Sequence, residues 1–150
     1  MSRGYNFILL LAVVAVTFVL QAAASASTPS DSNHASARTE RLALQAADAY
    51  WLQKGLTACP QPRLEYAALS NRAEGDAFIG PNLPAAYCVI RLSTRYSWRG
   101  RAGALDLCWT VVHERGHQAG LEHAKSGIMR SDGGERPPAI CTQLFGKRSG

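Results

Sequence analysis

The 150-residue sequence contains no internal repeat, and no low-complexity block beyond its first 26 residues, so neither a solenoid nor an array of small units is expected. Its one long apolar run, Phe7 to Leu20, is broken only by Thr17 and is short for a membrane span. No cysteine ends that run, which removes the usual handle for a lipid anchor. Aromatic residues are scarce at 8% of the chain, and only Tyr96 and Trp98 stand beside the loose basic cluster Arg91, Arg95, Arg99 and Arg101. Stacking platforms for bases are therefore missing, and no nucleic-acid partner is expected. The net charge of +5 reads as a solvated basic rim that favours acidic surfaces or substrates. Histidine is scarcer still, with four in the chain, and three of them crowd into eleven residues.

The start of the chain has the outline of an export signal. Arg3 gives a positive n-region, the apolar run follows, and Ala24-Ser25-Ala26 forms a small-x-small cleavage site. Residues 1–26 are thus expected to be a signal peptide cleaved near Ala26. The protein is then expected to be secreted, with no stable membrane association afterwards. Residues 27–38, rich in Ser, Thr, Asn and Ala, read as a flexible leader, with His34 a solvated histidine away from any partner. Residues 39–150 read as one folded domain with a modest core, expected to be monomeric.

Cys59, Cys88, Cys108 and Cys141 all fall in the mature chain. An even count in an exported protein reads as two disulfides, with three possible pairings. Cys88–Cys108 with Cys59–Cys141 is preferred here, because it would staple a strand to the main helix and tie the chain ends together.

From Thr39 to Lys54, Leu42, Ala46, Ala49 and Tyr50 recur at helical spacing; Ser36 or Thr39 can cap the start and Gly55 can close the end. Three segments of strand character follow: Arg63 to Leu69, the short Ala77 to Ile79, and Ala86 to Leu92 as the best candidate. Turn signals at Ser70-Asn71, Gly75-Asp76 and Gly80-Pro81-Asn82 separate them. A strong helix is predicted from about Ala104 to Ala119, with Leu105, Cys108, Trp109, Val112, Gly116 and Ala119 in one apolar stripe. Trp98 and Trp109 read as core. The rest is loop-rich, with a short closing helix from Pro138 to Leu144 ended by Gly146.

The chemistry sits at the end of the strong helix. His113 and His117 are four apart, which brings both imidazoles to one face, a turn apart, where they can grip a single ion. Three protein ligands and an open position make a catalytic zinc site, and zinc lowers the pKa of a bound water to about 7. Glu114 stands beside the first ligand, placed to take that water's proton. Gly120 falls three residues after His117, where a left-handed conformation can turn the chain sharply and bring His123 to the same ion. Met129 follows closely enough to form an apolar floor beneath the histidines. Glu135 is a weaker candidate for the third ligand than His123.

His113-Glu114-Arg115-Gly116-His117-Gln118-Ala119-Gly120-Leu121-Glu122-His123, followed by Gly127-Ile128-Met129, resembles the zinc-binding motif and Met-turn of the metzincin metallopeptidases. The local flavour is closest to the matrixin-like members, over about twenty residues from Leu107 to Met129. The resemblance implies an α+β metzincin-like (zincin) single domain: a small twisted mixed sheet packed on the active-site helix, and a short C-terminal helix. It implies that 39–150 is a metallopeptidase domain acting on a peptide or protein substrate with Zn(2+) as cofactor. His113, His117 and His123 would then be the zinc ligands, Glu114 the catalytic base, Gly120 the hinge and Met129 the turn methionine. The sheet edge near Ala86 to Leu92 would hold substrate extended. Departures are plain as well. Six positions separate His123 from Met129, fewer than matrixins usually show, and Arg130 stands where they often carry an aromatic residue. The inhibitory propeptide cysteine has no counterpart, since Cys59-Pro60-Gln61-Pro62 matches it poorly. A rival reading is a secreted zinc-binding module of the same fold without turnover, an inhibitor, adhesin or toxin-like partner.

Overall fold

The computed structural model describes residues 33–70, 72–131 and 137–146, so the expected signal peptide and the turn at 132–134 lie outside the described residues. The first helix, α1 (Ala37–Leu52), starts where Ser36 can cap it: the Ser36 hydroxyl accepts from the Thr39 N–H at 3.2 Å. It buries Ala43, Ala46, Ala47 and Trp51 along one face. Strands β1 (Arg63–Ala67), β2 (Gly75–Ala77) and β3 (Val89–Ser93) then form a mixed sheet in the order β1-β3-β2. β1 runs parallel to β3 and β2 antiparallel to it. Helix α2 (Gly100–Gln118) packs against α1 and the sheet, and α3 (Ala139–Phe145) closes the chain, with Gly146 as its C-cap. The described residues thus form a small mixed α/β domain with three helices and a three-stranded sheet.

β3 sits in the centre because its pattern suits burial on one face. Ile90 and Leu92 are fully buried towards the helices, while Arg91 between them is exposed. Residues 85–87, expected to open this strand, form a single 3-10 turn after Pro84, and Tyr87 N–H donates to the Pro84 carbonyl at 2.8 Å. The sheet edge expected near Ala86 to Leu92 is therefore not an edge, since β3 is paired on both sides. Gly75 and Asp76, read from sequence as a turn, are strand instead.

α2 has little amphipathic contrast because it is buried nearly all round. The Trp51 indole N–H donates to the Val112 carbonyl at 2.7 Å, which fixes α1 against the middle of α2. Trp98 is buried as expected, its indole N–H donating to the Ser93 carbonyl at 3.0 Å. The reverse side of α2 buries a charge that the sequence did not announce. Arg115, 3% exposed, donates to Asp48, to the Cys59 carbonyl at 2.9 Å and to Gln118 Oε1 at 2.7 Å. Gln118 in turn donates to the Val89 carbonyl at 3.2 Å. One guanidinium thus joins α1, the loop before β1, α2 and β3.

The described part of the expected leader is docked on the domain. The Asn33 carbonyl accepts from the Trp98 N–H at 2.9 Å, and Ala35 N–H donates to the Tyr66 hydroxyl at 3.0 Å. His34 is not a lone solvated residue: its ring stacks on Tyr66 with centroids 3.7 Å apart. Tyr66 donates to Glu40 at 2.7 Å, and burial together with that carboxylate holds its phenol above the ordinary value. The flat ring of Tyr66 and its doubly bonded hydroxyl are thus what His34 and Ala35 dock against.

The cysteines pair as Cys59–Cys88 and Cys108–Cys141, not as the sequence-based preference had it. Cys108 lies on the α2 face towards α3, so it meets Cys141, while Cys88 ends the 3-10 turn beside the loop that carries Cys59. Two disulfides fit an extracellular protein. No helix among the described residues is long and apolar enough to cross a membrane. Tryptic digestion without reductant is expected to join residues 55–63 to 73–91 and residues 102–115 to 131–147. Mass spectrometry reads this directly, and a 73–91 to 102–115 species as the main product would refute the pairing.

Candidate metal centre

The last turns of α2 place the motif. His113 and His117 project from one face, and the helix then stops within two residues. Gly120 N–H donates to the His117 carbonyl at 2.8 Å and Leu121 N–H to the Gly116 carbonyl at 3.0 Å, a Schellman ending. That ending needs a left-handed residue, and Gly120 supplies it with φ 90°. The reversed chain brings His123 back over the helix. Its Nε2 lies 3.3 Å from His113 Nε2 and 3.2 Å from His117 Nε2.

The other ring nitrogens decide what these three can bind. His113 Nδ1 is 2.7 Å from the Ile128 carbonyl oxygen, and His117 Nδ1 is 2.7 Å from the Leu121 carbonyl oxygen. A carbonyl only accepts, so both rings donate through Nδ1–H and, when neutral, offer a bare lone pair at Nε2. Burial lowers the pKa of both rings, with neighbouring imidazoles adding to the effect and the carbonyl bonds opposing it. Lone pairs turned towards one point repel, and a cation at that point converts the repulsion into binding. The donor atoms all lie within 4.8 Å of one another, so the three residues can hold one metal ion.

Met129 is buried at 5% exposure against Gly116, beside the Trp51 ring. The loop after His123 is short, yet it closes through Ala124 N–H to the Met129 carbonyl at 2.9 Å and Arg130 N–H to the Gly127 carbonyl at 3.1 Å. That turn aims the Ile128 carbonyl at His113 and the Met129 side chain at Gly116. A methyl on Gly116 would overlap Met129 and the Trp51 ring.

Glu114 is 5% exposed, and its Oε2 has no hydrogen-bond partner among the described residues. Burial, with the Asp76 charge adding, pushes its pKa up to about 8. Strand β2 lies directly over it. A Cβ on Gly75 would come 2.7 Å from Thr110 Cγ2 and 3.1 Å from Glu114 Oε1, so only glycine lets the strand sit this low. Thr110 donates to Glu74 at 3.2 Å, and Arg91 holds Asp76 by two bonds of 2.7 Å.

A cleft of ≈ 840 Å³ runs between β2 and the loop 127–131, with the three histidines, Glu114, Thr110 and Trp109 in its lining. Trp109 is half-buried there, a wall of the cleft instead of the core residue expected. The Ser93 N–H to Glu74 carbonyl bond fixes the alternation of the β2–β3 ladder. By that alternation, Gly75 and Ala77 turn their N–H and C=O groups away from β3, towards the cleft.

No protein-family model, curated protein or solved structure matches the chain. The site therefore rests on its own geometry. The structure brings His113, His117 and His123 together with Glu114 in the lining of one cleft, while Gly120 ends the helix and Met129 packs against Gly116; Glu135 lies outside the described residues. Sequence reasoning missed Gly75, whose role depends on a helix distant in sequence, and the Ile128 and Leu121 carbonyls, which have no side-chain signature.

Gly116→Ala is expected to lower stability by about 1–3 kcal/mol in urea unfolding and to weaken metal retention against a chelator. Unchanged values in both assays would mean that Met129 and Trp51 do not pack there as described. The Glu114 carboxyl has a folded-state pKa near 8 against an ordinary 4.5. The unfolded chain therefore ionises first, and stability from this group is lost as pH rises from 4.5 towards 8. Metal-free Glu114→Gln is expected to lack that loss, so its unfolding midpoint should gain on the parent's between pH 5 and 8. A constant difference between the two proteins would contradict the burial of Glu114.

Proposed function

We propose that the chain is a secreted zinc-dependent endopeptidase. The observation that carries this reading is the unpartnered Oε2 of Glu114, buried beside three converging imidazole nitrogens at the floor of a cleft. A buried carboxylate oxygen with no partner is costly, and a structural metal site has no use for it. Three imidazoles with an open side suit zinc in a catalytic setting, whereas structural zinc is usually closed by four protein ligands. The resemblance of the motif to the metzincins points the same way.

A zinc ion held by His113, His117 and His123 would supply Lewis acidity towards a water and a carbonyl oxygen. Glu114 holds the water through Oε2, takes its proton as the oxygen attacks the carbonyl carbon, and delivers that proton to the departing amine. The Ile128 and Leu121 carbonyls keep the His113 and His117 rings in the tautomer that binds. An extended peptide is held by Gly75 and Ala77 at the free edge of β2, which replaces the edge expected at residues 86–92. Because Gly75 has no side chain, that peptide lies close above Glu114.

The test is cleavage of a diverse peptide library by the oxidised, zinc-loaded chain beside its Glu114→Ala form. Cutting by the parent and a loss of about 10²- to 10⁴-fold in the variant, with zinc still bound, is the expected result. If both bind zinc and neither cuts any peptide, the peptidase reading fails and a binding module without turnover takes its place.

A further inference from the structure

Two non-glycine residues hold a left-handed backbone among the described residues, Gln61 with φ 52° and Arg72 with φ 61°. Gln61 stands between two prolines in the loop before β1. Arg72 is the more informative, because it lines the candidate cleft. An arginine gains nothing from positive φ, where its Cβ crowds the neighbouring carbonyl, so the surroundings must hold it there. The Tyr96 hydroxyl donates to the Arg72 carbonyl at 2.9 Å, and Ala73 N–H closes a turn onto the Ser70 carbonyl at 3.3 Å. Tyr96 rests in turn against the buried Trp98. The backbone of Arg72 is thus tied to the core while its side chain is exposed at the cleft rim. A strained residue that is over-determined at a cleft points to a role in the cleft.

The cleft lining also carries Glu74, Asp76, Glu114 and Glu122, of which Asp76 is ion-paired with Arg91. Glu74 accepts the Thr110 hydroxyl, and Asp76 accepts both Arg91 bonds. Among the described residues no ion pair reaches the Arg72 guanidinium. Arg130 lines the same cleft and adds a second positive charge to its lining. A peptide whose backbone rests on Gly75 and Ala77 passes Glu74 and reaches Arg72 about three residues from the point above Glu114.

We propose that Arg72 receives a carboxylate of the bound peptide, and so selects acidic substrates. The proposal rests on the peptidase reading for its occupant, an extended peptide along β2. Antiparallel addition to β2 places the carboxylate on the C-terminal side of the bond above Glu114. It is either an acidic side chain or the free terminus of the peptide. A guanidinium grips both alike through two N–H donors.

The probe is a set of N-acetylated octapeptides, with Asp or Asn at each position in turn and the C-terminus free or amidated. Binding to the zinc-loaded Glu114→Ala chain is read by fluorescence anisotropy. The expected result is that one carboxylate-bearing form binds about tenfold tighter than its neutral match at low salt, less so as salt rises. Preference at an Asp position identifies a side chain, and preference for the free acid over the amide identifies the terminus. Arg72→Gln removes the preference and Arg72→Lys keeps part of it. A preference that survives Arg72→Gln, or that is absent from the parent, overturns the proposal. Turnover of the same peptides by the chain with Glu114 intact separates the two readings. Arg72-dependent binding without cutting keeps the carboxylate site and ends the peptidase reading. Cutting without any carboxylate preference does the reverse.

Discussion

Gly116 is the point at which the structure has no slack. The Trp51 ring from α1 and the Met129 side chain meet over a residue with no side chain of its own. That contact sets the spacing of α1 from α2, because the same Trp51 also bonds the Val112 carbonyl one turn back. It also sets the depth of the loop that carries Met129. The depth of the loop fixes where the Ile128 carbonyl lies, and that carbonyl holds His113 by Nδ1. A packing contact between apolar groups therefore ends as the direction of a nitrogen lone pair. Interiors packed at this density pass a displacement on and do not absorb it.

The two faces of α2 answer different demands. One presents two imidazoles and a carboxyl to a cleft, where His123 from the following loop joins them, and this wants open space and polar atoms. The other buries Arg115, whose charge would cost several kcal/mol without partners. Asp48, the Cys59 carbonyl and Gln118 supply those partners from three directions. Such a network adds little net stability over well-packed apolar groups, but its bonds are directional. The helix is fixed in rotation as well as in position, and rotation by a fraction of a turn would carry His113 and His117 off the cleft. Cys59 takes part through its carbonyl, so the disulfide to Cys88 and the charge network brace the same corner.

What could be read in the sequence was local. The spacing of His113 and His117 needs only helix geometry, and Gly120 needs only the rule for ending a helix, so both were legible within eleven residues. The closing helix near Gly146 followed from capping in the same way, whereas for α1 capping left Ser36 and Thr39 open and the structure takes Ser36. What could not be read depended on partners distant in sequence. Gly75-Asp76 looked like a turn because a glycine and an acid favour turns, but Gly75 is strand because α2 lies against it. Trp109 looked like core because tryptophan is bulky and apolar, and it became a cleft wall because β2 does not cover it. Cysteine pairing is a statement about Cα separations in space, on which spacing along the chain is silent. His34 offered no pattern at all, since its partner Tyr66 lies on a strand whose face is set by the whole sheet.

Charge ties the parts of the centre to one another. Burial lowers the pKa of His113 and His117 and raises that of Glu114, so each is pushed towards its neutral form, as desolvation demands. A divalent cation among the imidazoles brings two positive charges to the floor of the cleft. An ionised Glu114 then ceases to be a penalty and becomes a counter-charge, so loading favours loss of its proton. The burial that makes the carboxylate expensive in the empty protein thus makes it responsive to loading. The same burial leaves Oε2 without a hydrogen-bond partner among the described residues, so a charge placed among the imidazoles acts on a carboxyl with little else to answer to.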